Sequence, residues 1–174
     1  MRSYRTRAVA EAGVLLSLSL VLSYLESLVP LPAGVKLGLA NIVTLFLLYR
    51  RRTAEAITVA FLRILLSALL FGSPVSFFYS LLGGVLSVSV TLLLMKLRIF
   101  SPVGVSLGGA VFHNLGQLAA AILLLGQNLV LYLPILLFSG AVAGTLIGIL
   151  AGIAIRKIPP LPSEKIKKGD FRNA

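Results

Sequence analysis

A chain of 174 residues that is 58% hydrophobic, only 12% charged and has a mean hydropathy of +1.03 does not belong to the soluble globular class, where the charged fraction is about twice as large. With no cysteine and one histidine it has no thiol nucleophile, no disulfide and no ligand set for a thiolate or histidine metal site, and neither a metal nor a cofactor is expected. The net charge of +11 lies at the edges of apolar segments and not in a basic groove interleaved with aromatics, which argues against nucleic acid and for a lipid bilayer.

About 20 mostly apolar residues cross a bilayer, and six segments read as spans: 8–29, 37–49, 53–71, 74–95, 102–125 and 129–155. The first is too long for the apolar core of a cleavable signal peptide, and no A-x-A-like site follows it. The second is short, about 20 Å as a helix, and follows Pro30 and Pro32. Its approach, 30–36, is expected either to dip into the protein or to run as an outer loop above a tilted helix. The sixth carries Pro134, expected to kink it. The fold class is therefore an all-α integral membrane protein. One domain, 1–157, forms a compact bundle of six transmembrane helices, and a basic tail, 158–174, reads as disordered.

The connections set the orientation. Of the 16 basic residues, all but Lys36 and Arg63 fall in the N-terminus, the second-to-third loop (Arg50, Arg51, Arg52), the fourth-to-fifth loop (Lys96, Arg98) or the tail. The positive-inside rule makes that side, and both termini, cytoplasmic.

Small residues mark close helix approaches. Gly140, Gly144, Gly148 and Gly152 repeat every four residues and share one face of the sixth span, for internal packing or a second copy. Ala8 and Ala12 form a weaker pair near the start of the first span.

Arg63 is the costly residue. It lies ten residues into the third span, about 15 Å deep, where a charge costs roughly 2.5–3.5 kcal/mol or more. His113 reaches a similar depth in the fifth span, with Asn114 and Gln117 beside it, and Asn41 lies one turn into the second span beneath Lys36. Glu11 and Glu55 lie near the cytoplasmic surface and Glu26 near the outer end of the first span, so no acid sits at the depth of Arg63. Two readings stay open. Arg63 bonds helix carbonyls, serine hydroxyls or Tyr79 as a packing residue, or it is the base of an outward-facing pocket. In the second reading Lys36, Asn41, Tyr79, His113, Asn114 and Gln117 complete the binding set, and the ligand is small and polar or anionic.

The stretches 32–45 (PAGVKLGLANIVTL), 63–72 and 100–118 (containing HNLGQ) resemble the membrane family labelled heptaprenyl diphosphate synthase component I, also called Gx transporters, over about 8–157. That family is similar to the substrate-binding S components of energy-coupling-factor (ECF) transporters. The resemblance implies six helices in the bacterial cell membrane, cytoplasmic termini, and an outer loop between the first two helices acting as a lid. It also implies partnership with a membrane T subunit and two ATPases, docked through an Ala-x-x-x-Ala pattern that Ala8 and Ala12 match.

Three functions compete. The first is substrate capture for transport. The chain has no GxxxxGK[ST] loop, so energy must come from partner ATPases. The second is the synthase role of the family label. Joining allylic diphosphates needs magnesium held by clustered aspartates, and the only aspartate is Asp170 in the tail. The chain is therefore not expected to be an enzyme, which leaves it an accessory subunit in this reading. The third is a scaffold built on the glycine face. The first is the expectation.

Overall fold

The computed structural model describes residues 2–28 and 38–167. They form seven α-helices: α1 (Arg2–Ser27), α2 (Asn41–Tyr49), α3 (Thr53–Phe71), α4 (Pro74–Leu97), α5 (Pro102–Leu125), α6 (Leu133–Lys157) and α7 (Pro162–Lys167). Local chemistry sets the turns. Ser73 caps α4 in a capping box: its Oγ accepts from Ser76 N at 3.1 Å, and Ser76 Oγ accepts from Ser73 N at 2.9 Å, with Pro74 opening the helix. Ser101 and Pro102 start α5 by the same logic, Ser101 Oγ accepting from Gly104 N at 3.2 Å. Loops this short between long apolar helices force neighbours to run antiparallel, so the basic connections gather at one end of the bundle, here called the basic end.

Five helices (α1, α3, α4, α5 and α6) are long and apolar enough to cross a membrane, which makes this a multi-pass membrane protein. α2 is not one of them. Its nine residues reach about 13 Å, less than half the roughly 30 Å hydrocarbon core. Yet Val43 through Leu48 are all buried, and six consecutive buried residues cover every face of a helix. α2 is thus the central plug, packed by α1, α3 and α6, with its start deep inside the bundle. Val43, Leu47 and Leu48 meet Ala56 and Val59 of α3, with Ala12, Leu15 and Leu16 of α1 packed behind them.

The segment before α2 is irregular backbone at depth. Gly38 adopts φ +72°, and a Cβ there would stand 3.1 Å from Ile147 Cδ1 on α6. Ala40 is fully buried. Helix α2 starts at Asn41, after this turn, and Lys36, with the rest of 29–37, lies outside the described residues.

α5 packs along both α4 and α6 through glycines. A Cβ at Gly140, Gly144 or Gly148 would come within 2.8 Å of α5 atoms, so α6 lies almost against the α5 backbone. Gly152 faces open space and is not part of the seam. α4 and α5 cross at Gly83 and Gly116, where a Cβ on Gly116 would stand 2.8 Å from Gly83 Cα.

Two elements differ from expectation. Pro134 does not kink the sixth helix: a 3-10 turn, Gln127–Tyr132, precedes α6, and Pro134 sits in its first turn, where a missing N–H costs nothing. The polar tail begins as a helix and not as disordered chain. α7 docks beneath α1, with Ser163 only 2% exposed; 168–174 lie outside the described residues.

Candidate functional site

Four helices each turn one face onto a cavity of about 290 Å³. α3 contributes Ile57, Ala60, Phe61, Arg63 and Ile64. α4 contributes Leu81, Gly84, Val85, Val88 and Leu92, with Ser87, Ser89 and Thr91 at its edges. α2 adds Asn41, Thr44, Leu45 and Leu48, and α5 adds Ser106, Gly109 and Ala110. Spacings of three and four keep each apolar set on one side of its helix. Ile147 of α6 closes the wall.

Arg63 Nη2 donates to Asn41 Oδ1 at 3.1 Å. Its Nε is buried and has no hydrogen-bond partner among the described residues. Glu26, near the end of α1, meets the same turn: its Oε1 accepts from Leu39 N at 2.8 Å, two residues before Asn41.

Leu48, Ile57 and Leu92 lie within about two turns of the basic ends of their helices, so most of this cavity lies between Arg63 and the basic end, with Arg63 at its far end.

Of the expected binding residues, Asn41 and Arg63 line the cavity, whereas Tyr79, His113, Asn114 and Gln117 do not. Asn114 is 3% exposed and bonds across to α6, its Nδ2 donating to Leu136 O at 2.7 Å. His113 and Gln117 pack over the α4–α5 crossing, where a Cβ on Gly83 would meet His113 O at 2.7 Å and Gln117 Cγ at 2.8 Å. Tyr79 Oη is buried without a hydrogen-bond partner among the described residues. Ala8 and Ala12 are both half-exposed, and Ala12 also packs against the α2–α3 core. Sequence reading missed Thr44, Thr91 and Ser106, all buried at the cavity. Their only signal is the i, i+3, i+4 register they share with Asn41, Val88 and Ala110.

At the basic end a second polar cluster ties the loops together. Arg52, 8% exposed, pairs with Glu11 Oε2 at 2.7 Å and with Glu55. Burial alone pushes the Arg52 guanidinium down, but its hydrogen bonds to Glu55 and Glu11 and their charges outweigh it and hold the group above its ordinary range. Glu11 also accepts from Ser163 N at 2.9 Å and from Ser163 Oγ. Arg50 pairs with Glu164 Oε2 at 3.3 Å and donates to Ile158 O. These contacts hold α7 in place. Among the described residues no three His, Cys, Asp or Glu side chains gather as a metal site would require.

The family model for heptaprenyl diphosphate synthase component I matches residues 15–153, and the chain belongs to that family. No curated protein and no solved structure matches it.

Proposed function

We propose that this member of the component I family is a ligand-capturing membrane subunit without catalysis of its own. The observation that carries the proposal is the cavity itself. A space of about 290 Å³ lies inside the membrane-crossing bundle, with a half-buried arginine at one end whose buried Nε still has hydrogen-bonding capacity. A charge at that depth of a bilayer is costly, and a ligand with an acceptor group for Arg63 and an apolar body for the rest of the wall suits both the charge and the lining. The resemblance to ECF S components supports an ECF-type role for such a subunit: the chain binds, and a T subunit with ATPases supplies energy at the cytoplasmic, basic end.

The test is to identify the small molecule that co-purifies with the protein. Extraction and mass spectrometry should find one compound near equimolar with the wild type. It should be depleted in Arg63→Gln, and also in Val88→Phe, which fills the cavity without touching the charge. The same yield from all three proteins refutes capture in this cavity.

The family's description favours a second reading, an accessory component that works with a prenyl diphosphate synthase. Under it, deleting this chain abolishes long-chain prenyl products when the catalytic component is retained. Normal products in the deletion strain exclude it.

A further inference from the structure

Four residues that line the cavity are also on the outside of the bundle. Ile57 and Phe61 of α3 are 47% and 46% exposed, and Val85 of α4 is 55% exposed; Ser89, one turn further along α4, is exposed as well. The pairs are i, i+4 on facing helices, so they form the two edges of one opening. Above it α3 and α4 touch, since a Cβ on Gly84 would stand 2.8 Å from Ile64 Cδ1. Below that contact α4 leans on α5, with which it packs far more extensively than with α3.

The opening lies between about 6 and 18 Å from the basic ends of α3 and α4, as counted from Thr53 and Leu97. That depth is inside a hydrocarbon core of about 30 Å. Three of its four edge residues are apolar, as a lipid-facing surface requires.

We propose that the ligand is a membrane-borne amphiphile that enters sideways through the α3–α4 slot, with a compact oxygen-rich head meeting Arg63 and an apolar chain lying in the slot. The proposal rests on the capture reading above and adds the substrate's class and its route. The cavity volume equals about ten water molecules at ~30 Å³ each, room for a head group and a short run of chain. The slot lets a longer chain continue into the bilayer, so chain length is not limited by the cavity. The hydroxyls of Thr44, Thr91 and Ser106 give the head further hydrogen-bond partners.

The experiment uses the full chain in phosphatidylcholine nanodiscs and three probes: dodecyl phosphate, dodecanol and inorganic phosphate, read by native mass spectrometry and by binding kinetics. Dodecyl phosphate is expected to bind at least tenfold tighter than either of the others. Arg63→Gln should weaken it about tenfold. Ser89→Trp, which obstructs the mouth without touching Arg63, should slow its association about tenfold. If inorganic phosphate binds as tightly as dodecyl phosphate and Ser89→Trp changes no rate, the sideways amphiphile is wrong while capture in the cavity stands. Equal binding of dodecanol and dodecyl phosphate overturns the head-group assignment. If no probe binds and nothing co-purifies with the wild type, the capture reading itself fails.

Discussion

The α5–α6 seam makes a prediction with opposite signs at two glycines of the same helix. At Gly144 a Cβ would stand 2.8 Å from both Leu107 Cα and Ala110 Cβ and 3.0 Å from Ser106 O. Carbon atoms settle at about 3.5–4.0 Å, so Gly144→Ala must push the helices apart by nearly 1 Å. A gap of that size forfeits a quarter to a half of each neighbouring dispersion contact. Leu107 Cα and Ser106 O are backbone atoms, so no side-chain rotation relieves the clash, and the cost falls at about 1–3 kcal/mol. Gly152, two turns on, has nothing within 4 Å of its Cβ position. There Gly152→Ala meets no neighbour and gains up to about 1 kcal/mol of helix propensity. The two variants should therefore differ by about 1–4 kcal/mol, one destabilised and one unchanged or stabilised. Unfolding of the purified proteins by sodium dodecyl sulfate titrated into a mild detergent, followed by circular dichroism, measures both. Midpoints that shift together, or a Gly144→Ala midpoint at the wild-type value, would show that the seam is not packed through these glycines.

Three further outcomes are expected. Gly38→Ala forces a side chain into the left-handed region and a methyl against Ile147, and should cost about 1–2 kcal/mol in the same titration; a neutral result means the turn before α2 is not held as described. Asn114→Ala removes the buried bond to Leu136 O and should cost about 0.5–1.5 kcal/mol while leaving the affinity for any cavity ligand within twofold. A large loss of affinity at constant stability would return Asn114 to the binding site. Glu11→Ala removes the acceptor shared by Arg52 and Ser163 and should release α7, so trypsin should cut after Lys165 or Lys167 at least several-fold faster than in the wild type; an unchanged cleavage rate means α7 is not anchored through Glu11.

Where sequence and structure agree, the cause is punctuation. α4 and α5 start at Ser73–Pro74 and Ser101–Pro102, and α5 stops at Gly126, because these are local start and stop signals that need no tertiary information. α2 began four residues later than its apolar run suggests, because Gly38 turns the chain inside the bundle, and a turn buried by other helices is not written in local composition. Depth alone put Arg63 level with His113, which is an axial statement. Which residues share a cavity is a question of rotation about each helix axis and of which helices are neighbours. His113 and Gln117 face the α4 crossing, and Asn41 faces Arg63, for reasons that only the packing of Gly83 on Gly116 and the central place of α2 supply. The threonines and serines at the cavity were equally hidden, since such hydroxyls are ordinary in membrane helices, where they bond their own backbone as Thr58 and Thr145 do.

The cost of Arg63 is shared with a backbone problem, and that coupling can be measured. Breaking the second span at depth leaves Leu39 N without a helical acceptor, and Ala40 offers α2 no side-chain cap. Glu26 Oε1 accepts from Leu39 N at 2.8 Å, two residues before the Asn41 that accepts from Arg63, so one carboxylate is expected to serve the broken backbone and the cation together. The two roles separate by substitution. Glu26→Gln keeps an oxygen for Leu39 N but removes the charge, and should cost about 1–2 kcal/mol; Glu26→Ala removes both and should cost about 2–4 kcal/mol. In an Arg63→Gln background the charge has no counterpart, so Glu26→Gln should become close to neutral, while Glu26→Ala retains its backbone penalty of about 1 kcal/mol. A coupling energy of about 1 kcal/mol or more between Arg63→Gln and Glu26→Gln is therefore expected in a double-mutant cycle. Strict additivity of the two would mean that Glu26 caps the backbone alone and does not serve the Arg63 charge.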